Sequence, residues 1–280
     1  MLRNHGGFNT VRKSIISYYS SLPAGEVNED QRQVVNYLKS RPITIFPYTF
    51  PEKYNAAKIQ VHLDDLNQLH YVIEDKKRLY FKRGLSISDI KKSYNSLKIE
   101  QDRQSPHKYL SSGFSVENGS VVVDIGAAKG NFALSIIEKA TMVYLFEAEI
   151  EWIEALNATF SPWRNKVKII NKYVGDRVEE NCVSLDNYFL NGERIDFIKI
   201  DVEGAEPSVL NGALNLLKSS KSLKLSICTY HRQNDEKVIT SLLQSEQFNV
   251  SHSRGYMIYF YDKYFEPPYL RHGLVRAEKK

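Results

Sequence analysis

Residues 121–132 read VVVDIGAAKGNF, a run of valines closing on Asp124 and Ile125, then Gly126-Ala127-Ala128-Lys129-Gly130 and an apolar restart at Phe132. The first half suits a strand buried on both faces. The second half is a turn of small residues whose backbone can approach a ligand closely before a helix begins. The pattern is DxGxxxG, not the GxGxxG of a dinucleotide site, where glycines admit a pyrophosphate at a helix N-terminus. Gly126, Ala127 and Gly130 are therefore candidates for close backbone approach to a ligand that lacks a pyrophosphate. A glycine pair alone is equally well explained as a structural turn.

Short apolar runs alternate with amphipathic helices on either side of this stretch. Strands are expected at 121–125, 143–146, 167–170, 197–201 and 223–228, with helices at 132–139, 150–160, 207–217 and 236–243. Strands apolar on both faces and separated by helices specify a parallel sheet covered on both sides. Near the end, 248–254 and 273–278 are strand-like with no helix between them, which predicts an added antiparallel element. The fold class is α/β: a Rossmann-like, mostly parallel sheet with an antiparallel last strand. Residues 111–280 form the cofactor-binding domain, and 1–110 form a smaller α+β accessory or substrate region. In that region a helix is expected over 26–39, extended pieces at 43–46 and 59–63, and a hairpin of 69–73 and 78–82. A helix through Ile90, Tyr94 and Leu97 follows, capped by Ser86 or Ser88.

Ligands of such sheets lie beyond the carboxyl ends of the strands, where strand order reverses. Glu147 ends the second strand, 21 residues after Gly126. A carboxylate there can accept hydrogen bonds from both vicinal ribose hydroxyls, although a helix-start carboxylate would also suit the helix dipole. Asp176, after the third strand, stands where an adenine amino group could be met. Residues 195–206, IDFIKIDVEGAE, crowd four acids and a lysine around the end of the fourth strand. Lys199 and Asp201 alternate there with Ile198 and Ile200, and buried charges of this kind need partners or a function.

On these residues the sequence resembles the FkbM family of S-adenosylmethionine-dependent methyltransferases. The matching segments are 121–132, LFEAE at 145–149, SLDNYF at 184–189, 195–206, VLNGA at 209–213 and CTYHRQND at 228–235. SPHKYL at 105–110 also looks like a segment found ahead of the first strand in bacterial members. The resemblance spans about 105–245 and implies a class I methyltransferase sheet, S-adenosylmethionine as cofactor and methylation of a hydroxyl oxygen, commonly on a sugar or secondary metabolite. It implies that Asp124, Gly126 and Gly130 line the methionine part, that Glu147 holds the ribose, and that Asp201 lies near the transferable methyl. Lys129 departs from the usual wording of the glycine motif, which often has Asn there.

A hydroxyl is a poor nucleophile until it loses its proton, so a base within hydrogen-bond reach is expected. His231, three residues past the fifth strand, is the first candidate, because its ordinary pKa lies near neutrality. His107 in SPHKYL, acting with Tyr109, is the second. Asp201, Glu203 and Asp235 could converge on magnesium or calcium, although nothing in their spacing demands a metal. An NAD(P)-dependent oxidoreductase should show GxGxxG, which is absent. An RNA methyltransferase would use a basic region for phosphates, yet no RNP-like motif or dense basic run supports nucleic acid as partner. A non-catalytic S-adenosylmethionine-binding protein is the third alternative. The acceptor expected is a small molecule or glycan.

The 280 residues carry a net charge of +5, unevenly placed: residues 1–110 hold 18 Lys/Arg against 11 Asp/Glu, the remainder 20 against 22. A basic first part could face a phosphorylated substrate, an anionic membrane surface or RNA, or be a solvated face. No apolar run approaches the roughly 20 residues of a membrane-spanning helix, and the first residues read as neither signal peptide nor anchor. Cys182 and Cys228 have no CxxC spacing and are expected as reduced thiols in a cytoplasmic protein.

Overall fold

The structure is a computed structural model that describes residues 5–279. It opens with two helices, α1 (His5–Ser21) and α2 (Glu29–Ser40). Asn28 and Gln31 close a capping box at the start of α2, each side chain accepting from the other's backbone N–H. Val34, Val35 and Leu38 face inward, as their spacing predicts. α1 has no counterpart in the sequence expectation: its apolar stripe is thin, and it buries Ile15 and Tyr19 against distant chain as well as against α2.

The extended pieces expected at 43–46 and 59–63 are largely irregular. Short 3-10 turns occupy Phe50–Lys53 and Ala56–Lys58, and only β1 (His62–Leu63) is a strand. β2 (His70–Glu74) and β3 (Lys77–Tyr80) make the expected hairpin with a tighter turn. Asp75 and Lys76 alone reverse the chain, at φ of 46° and 67°, so Glu74 and Lys77 pair as strand residues. α3 (Ile87–Glu100) follows, with the Ser86 side chain accepting from Asp89 N, and it buries Ile90, Tyr94 and Leu97.

The main body runs β4 (Ser120–Ile125), α4 (Asn131–Ile136), β5 (Ala140–Phe146), α5 (Ile150–Phe160), β6 (Val167–Ile170), β7 (Tyr173–Val174), β8 (Cys182–Val183), α6 (Leu185–Tyr188), β9 (Phe197–Ile200), α7 (Glu206–Asn211), α8 (Leu214–Ser219), β10 (Leu223–Cys228), α9 (Asp235–Ser245), β11 (Asn249–His252) and β12 (Leu274–Lys279). β7 and β8 pair only with each other. The helix expected over 207–217 is two short ones, because the chain bends at Gly212, where the Gly175 carbonyl lies against it.

Seven strands form one sheet in the order β11-β12-β10-β9-β4-β5-β6. β4 pairs in parallel with β5 and β9, while β12 is antiparallel to both β10 and β11. The α/β class and the antiparallel last strand are therefore as the sequence indicates. One apolar core joins a face of the sheet to α3, α4, α5 and the β2–β3 hairpin, and a second packs α6 to α9 on the other face. A third joins α1 and α2 to Tyr256, Ile258, Phe260 and Leu270 in the long β11–β12 connection. β4 sits where the strand order reverses, which places a ligand crevice at the C-terminal ends of β4, β5 and β9. No described helix is long and apolar enough to cross a membrane.

Candidate active site

The turn after β4 is held from below by backbone. Gly126 N and Ala127 N both donate to Phe146 O at the end of β5, at 2.9 and 3.1 Å. Gly126 has φ of 74°, and a Cβ there would collide with the carbonyl oxygen of Asp201, so the turn and the end of β9 can lie together only with glycine at this position. Gly130, also at positive φ, opens α4. Ala128 N donates to Glu147 Oε2 and Glu149 N to Glu147 Oε1, both at 2.7 Å. The buried Glu147 carboxylate therefore clamps the glycine turn to the end of β5, and each of its oxygens keeps a second lone pair.

Lys199 lies under the same turn. Its Nζ is 3.0 Å from Asp124 Oδ1 and donates to the carbonyl oxygens of Gly126 at 2.6 Å and Ile125 at 3.3 Å. The carboxylate that neutralises this lysine thus comes from β4, not from the acids surrounding it in sequence. Asp124 has no exposed surface, and its carboxylate is opposed by Lys199 and by the backbone N–H of Ala133 in the first turn of α4. It acts on the turn through Lys199. Burial pushes its carboxyl up against the pull of Lys199, and Asp201 adds to the rise. Lys199 moves the other way: burial lowers it, but two carboxylates, Asp124 and Asp201, outweigh that and hold it above the usual lysine range.

Asp201 follows β9 and meets two histidines and a tyrosine. Tyr109 Oη donates to its Oδ2 at 2.6 Å, His107 Nε2 lies 3.7 Å from Oδ2, and His231 Nε2 lies 3.6 Å from Oδ1. Burial would raise the Asp201 carboxyl, but Lys199, both histidines and the Tyr109 hydroxyl together hold it well below the usual range. The sequence-predicted His231, His107 and Asp201 are thus brought together.

The two histidines differ. His107 Nε2 is 3.1 Å from Tyr230 Oη and Nδ1 is 3.5 Å from Gln101 Nε2, and burial lowers its pKa to about 4. His231 Nδ1 lies 2.9 Å from Oε1 of the fully buried Glu206, an ion-pair distance without hydrogen-bond alignment. Its Nε2 has no hydrogen-bond partner and faces Asp201 and Glu203, each at 3.6 Å. Burial pulls the His231 pKa down, yet Glu206, Asp201 and Glu203 outweigh burial and leave it raised. The Tyr230 and Tyr259 rings enclose this imidazole, with centroids 4.1 and 5.5 Å away.

The metal trio suggested by sequence is not the one the fold assembles. Asp235 accepts from Arg232 N at 2.8 Å within its own loop. Among the described residues, the groups with ligand atoms within 4.8 Å of one another are Asp201 with Glu206 and His231, and Asp201 with His107 and Cys228. Asp176 is exposed and accepts from Ser208 Oγ at 3.0 Å, tied to α7. Lys129 Nζ lies 5.5 Å from the Trp152 ring centre. A cavity of about 470 Å³ beside α6 and α8 includes Ile195 and Ser222, at the opposite ends of β9 and β10 from this cluster.

Residues 122–256 match the model of the methyltransferase FkbM domain. This segment is an FkbM methyltransferase domain. It runs from β4 through β11, leaving α1 to α3 and β12 outside the match. Among solved structures, an FkbM methyltransferase from Methylobacillus flagellatus aligns with 96% of this chain at 17% identity and a TM-score of 0.48. This chain spans only 58% of that protein's length. A Streptococcus mutans protein solved in complex with SAH aligns over 59% of this chain and 91% of its own, at 16% identity and a TM-score of 0.38. An rRNA methylase from Streptococcus thermophilus aligns over 58% and 87%, at 16% identity and a TM-score of 0.35. Likenesses this distant do not bear on the acceptor. A search of curated proteins gives no significant match.

Three participants in the cluster, two of them outside the matched segment, escape the sequence reading. Glu206 looks like an ordinary first-turn carboxylate beside Pro207, and only the fold shows it fully buried against His231. Tyr259 comes from the β11–β12 connection, where no motif marks it. Glu100, the last residue of α3, has its carboxyl pushed up to about 7 by burial and by Asp201, with Lys129 opposing, which places it in the same electrostatic neighbourhood.

Proposed function

We propose that this protein transfers a methyl group from S-adenosylmethionine to a hydroxyl oxygen of a small-molecule or glycan acceptor, with His231 removing the hydroxyl proton. The observation that carries the proposal is the Glu206–His231 pair. Nδ1 faces a buried carboxylate while Nε2, without a hydrogen-bond partner, is aimed into the cluster at the C-terminal end of β9. That is the arrangement of an oriented general base.

The residues present fit the cofactor. Glu147 keeps a lone pair on each oxygen for two vicinal ribose hydroxyls, and the Gly126–Gly130 turn offers close backbone with Ala127 at its centre. Lys129 supplies a positive charge suited to the methionine carboxylate. Asp124 and Lys199 hold this turn in place without touching the ligand, which revises the expectation that Asp124 lines the methionine part. Asp176, bonded to Ser208, remains the adenine-side candidate. The sulfonium supplies a methyl group already activated for transfer, so the protein's main task is alignment, worth several kcal/mol of barrier.

His231 Nε2 accepts the hydroxyl proton, and the imidazolium formed is stabilised by Glu206, Asp201 and Glu203. Asp201, held ionised, fixes Tyr109 and supplies this charge; it is too weak a base to take the proton itself. His107, its Nε2 engaged by Tyr230 and its basicity lowered, orients the neighbouring tyrosines. The rings of Tyr230 and Tyr259, with Tyr261 and Tyr264 exposed nearby in sequence, favour stacking on a sugar face. On the same reading, residues 1–110 shape the acceptor side and 111–280 carry the cofactor. Incubation with methyl-labelled S-adenosylmethionine and a panel of glycans, nucleotide sugars and RNA, read by mass spectrometry, tests this. Label is expected as an ether on a saccharide. Label in RNA supports the rival acceptor class, and cofactor binding with no labelled product supports a non-catalytic protein.

A further inference from the structure

Beside the cluster, on the other side of the 105–110 segment, lies a cavity of about 600 Å³ lined by residues of α2, the segments 48–50 and 103–112, Arg254, Gly255 and Arg276. Its charged lining is Arg103, Lys108, Arg254 and Arg276 against the single carboxylate of Asp30. That carboxylate is engaged: Oδ2 accepts from Gly255 N at 3.1 Å, and Oδ1 lies 4.0 Å from Arg254 Nε.

The cations on the inner wall lack counter-ions. Lys108 Nζ donates to Gln101 O at 2.7 Å, and Arg276 donates to the carbonyl oxygens of Lys108 and Tyr109. Among the described residues no carboxylate forms an ion pair with Arg103, Lys108 or Arg276. Lys108 and Arg276 are both half-buried. Burial lowers the pKa of each; at Lys108 the Asp102 carboxylate opposes burial and Arg276 adds to it. Positive charge withdrawn from water and unpaired is unfavourable, and an anion between these groups relieves it.

We infer that this cavity binds the phosphate or diphosphate group of a small acceptor molecule. The volume falls within the range of about 300–1,000 Å³ typical of small-ligand sites. Four cations around one concavity, two of them half-buried, suit a compact anion; a polymer backbone needs an extended track of exposed charge. The link to chemistry is the backbone itself. Lys108 lies between His107 and Tyr109, two of the residues that contact Asp201. An anion held by Lys108 is therefore one residue removed from the groups around the candidate base. This also accounts for part of the positive excess in residues 1–110. The anion site stands on its own geometry, and only its assignment to the acceptor rests on the methyl-transfer reading.

The test is calorimetry of the full chain with inorganic pyrophosphate, with the cofactor cleft first saturated with S-adenosylhomocysteine. One site is expected. The double variant Arg103→Ala/Arg254→Ala removes two exposed guanidinium groups, so its urea unfolding curve should be unchanged. Its pyrophosphate affinity should fall about tenfold or more, the effect of losing charge-assisted hydrogen bonds. Lys108→Met should weaken binding in the same direction. No binding, equal binding in the double variant, or binding abolished by S-adenosylhomocysteine overturns the site. In turnover assays, pyrophosphate that raises the KM for acceptor and leaves that for S-adenosylmethionine unchanged identifies the acceptor's phosphate as the occupant. Pyrophosphate that binds without affecting acceptor kinetics overturns that assignment in favour of a free anion. A single-stranded RNA oligomer that displaces pyrophosphate and binds more tightly overturns it in favour of nucleic acid. Because the titration needs no turnover, an absence of methyl transfer leaves its result readable.

Discussion

Replacing Lys199 with methionine removes the ammonium that lies beneath the Gly126–Gly130 turn while keeping most of its apolar length. Asp124 would be left with no exposed surface and no ion-pair partner, with only the backbone N–H of Ala133 still opposing its charge. Removing one member of a buried pair costs about 3–5 kcal/mol. That is a large share of the roughly 5–15 kcal/mol that holds a native protein together. At about 2–4 °C per kcal/mol for a domain of this size, Tm should fall by roughly 6–20 °C. Urea unfolding followed by circular dichroism gives the free energy directly. The double variant Asp124→Leu/Lys199→Met should recover most of the loss, because a well-packed apolar pair often matches a buried ion pair. What it does not restore is the donor to Gly126 O, a deficit of about 1–3 kcal/mol if water cannot reach that carbonyl. S-adenosylhomocysteine affinity should therefore stay reduced in the double variant even where stability returns. A loss below about 1 kcal/mol in Lys199→Met would show that Asp124 is not dependent on the lysine, and the account of the buried pair would be wrong.

His231→Ala should leave S-adenosylhomocysteine binding nearly intact and lower the rate at saturating acceptor about 10²–10⁴-fold. Since the imidazole pKa is raised, His231 stays protonated and unable to act as base at pH values where an ordinary histidine is already neutral. The rate should climb with pH along an acid limb above the usual histidine value, and Glu206→Gln should move that limb to lower pH; an unmoved limb in both variants would remove His231 from the reaction. Glu147→Gln keeps one acceptor oxygen and should weaken S-adenosylhomocysteine by about 1.5–3 kcal/mol, measured by calorimetry; an unchanged affinity would confine Glu147 to clamping the turn. Treatment with a chelator should leave turnover unchanged, whereas loss of activity restored by magnesium would make Asp201, Glu206 and His231 metal ligands.

The sheet was legible because its strands are apolar on both faces and because amphipathic helices separate them, the longest, α5 and α9, running about three turns each. The glycine turn was legible for a different reason: only small residues allow Gly126 to lie against the Asp201 carbonyl, so the requirement is written in the residue types themselves. Tertiary partnerships were not. Lys199 is surrounded in sequence by Asp196, Asp201 and Glu203, yet its closest carboxylate is Asp124 on the neighbouring strand, set there by the register Asp124 to Lys199 across β4 and β9. Glu206 is indistinguishable in sequence from a carboxylate serving the helix dipole. The helix break at Gly212 depends on a loop arriving from residue 175, and the burial of α1 depends on chain more than 230 residues away. Hydrophobic periodicity encodes which face is buried; it does not say against what.

The central claim is that the C-terminal ends of β4, β5 and β9 form a site for S-adenosylmethionine and not for a dinucleotide. Calorimetric titration of the intact chain with S-adenosylhomocysteine, and separately with NADH, tests it most directly. One molecule of S-adenosylhomocysteine bound per chain, with no heat from NADH, is the predicted result. Tight binding of NADH with none of S-adenosylhomocysteine would contradict it.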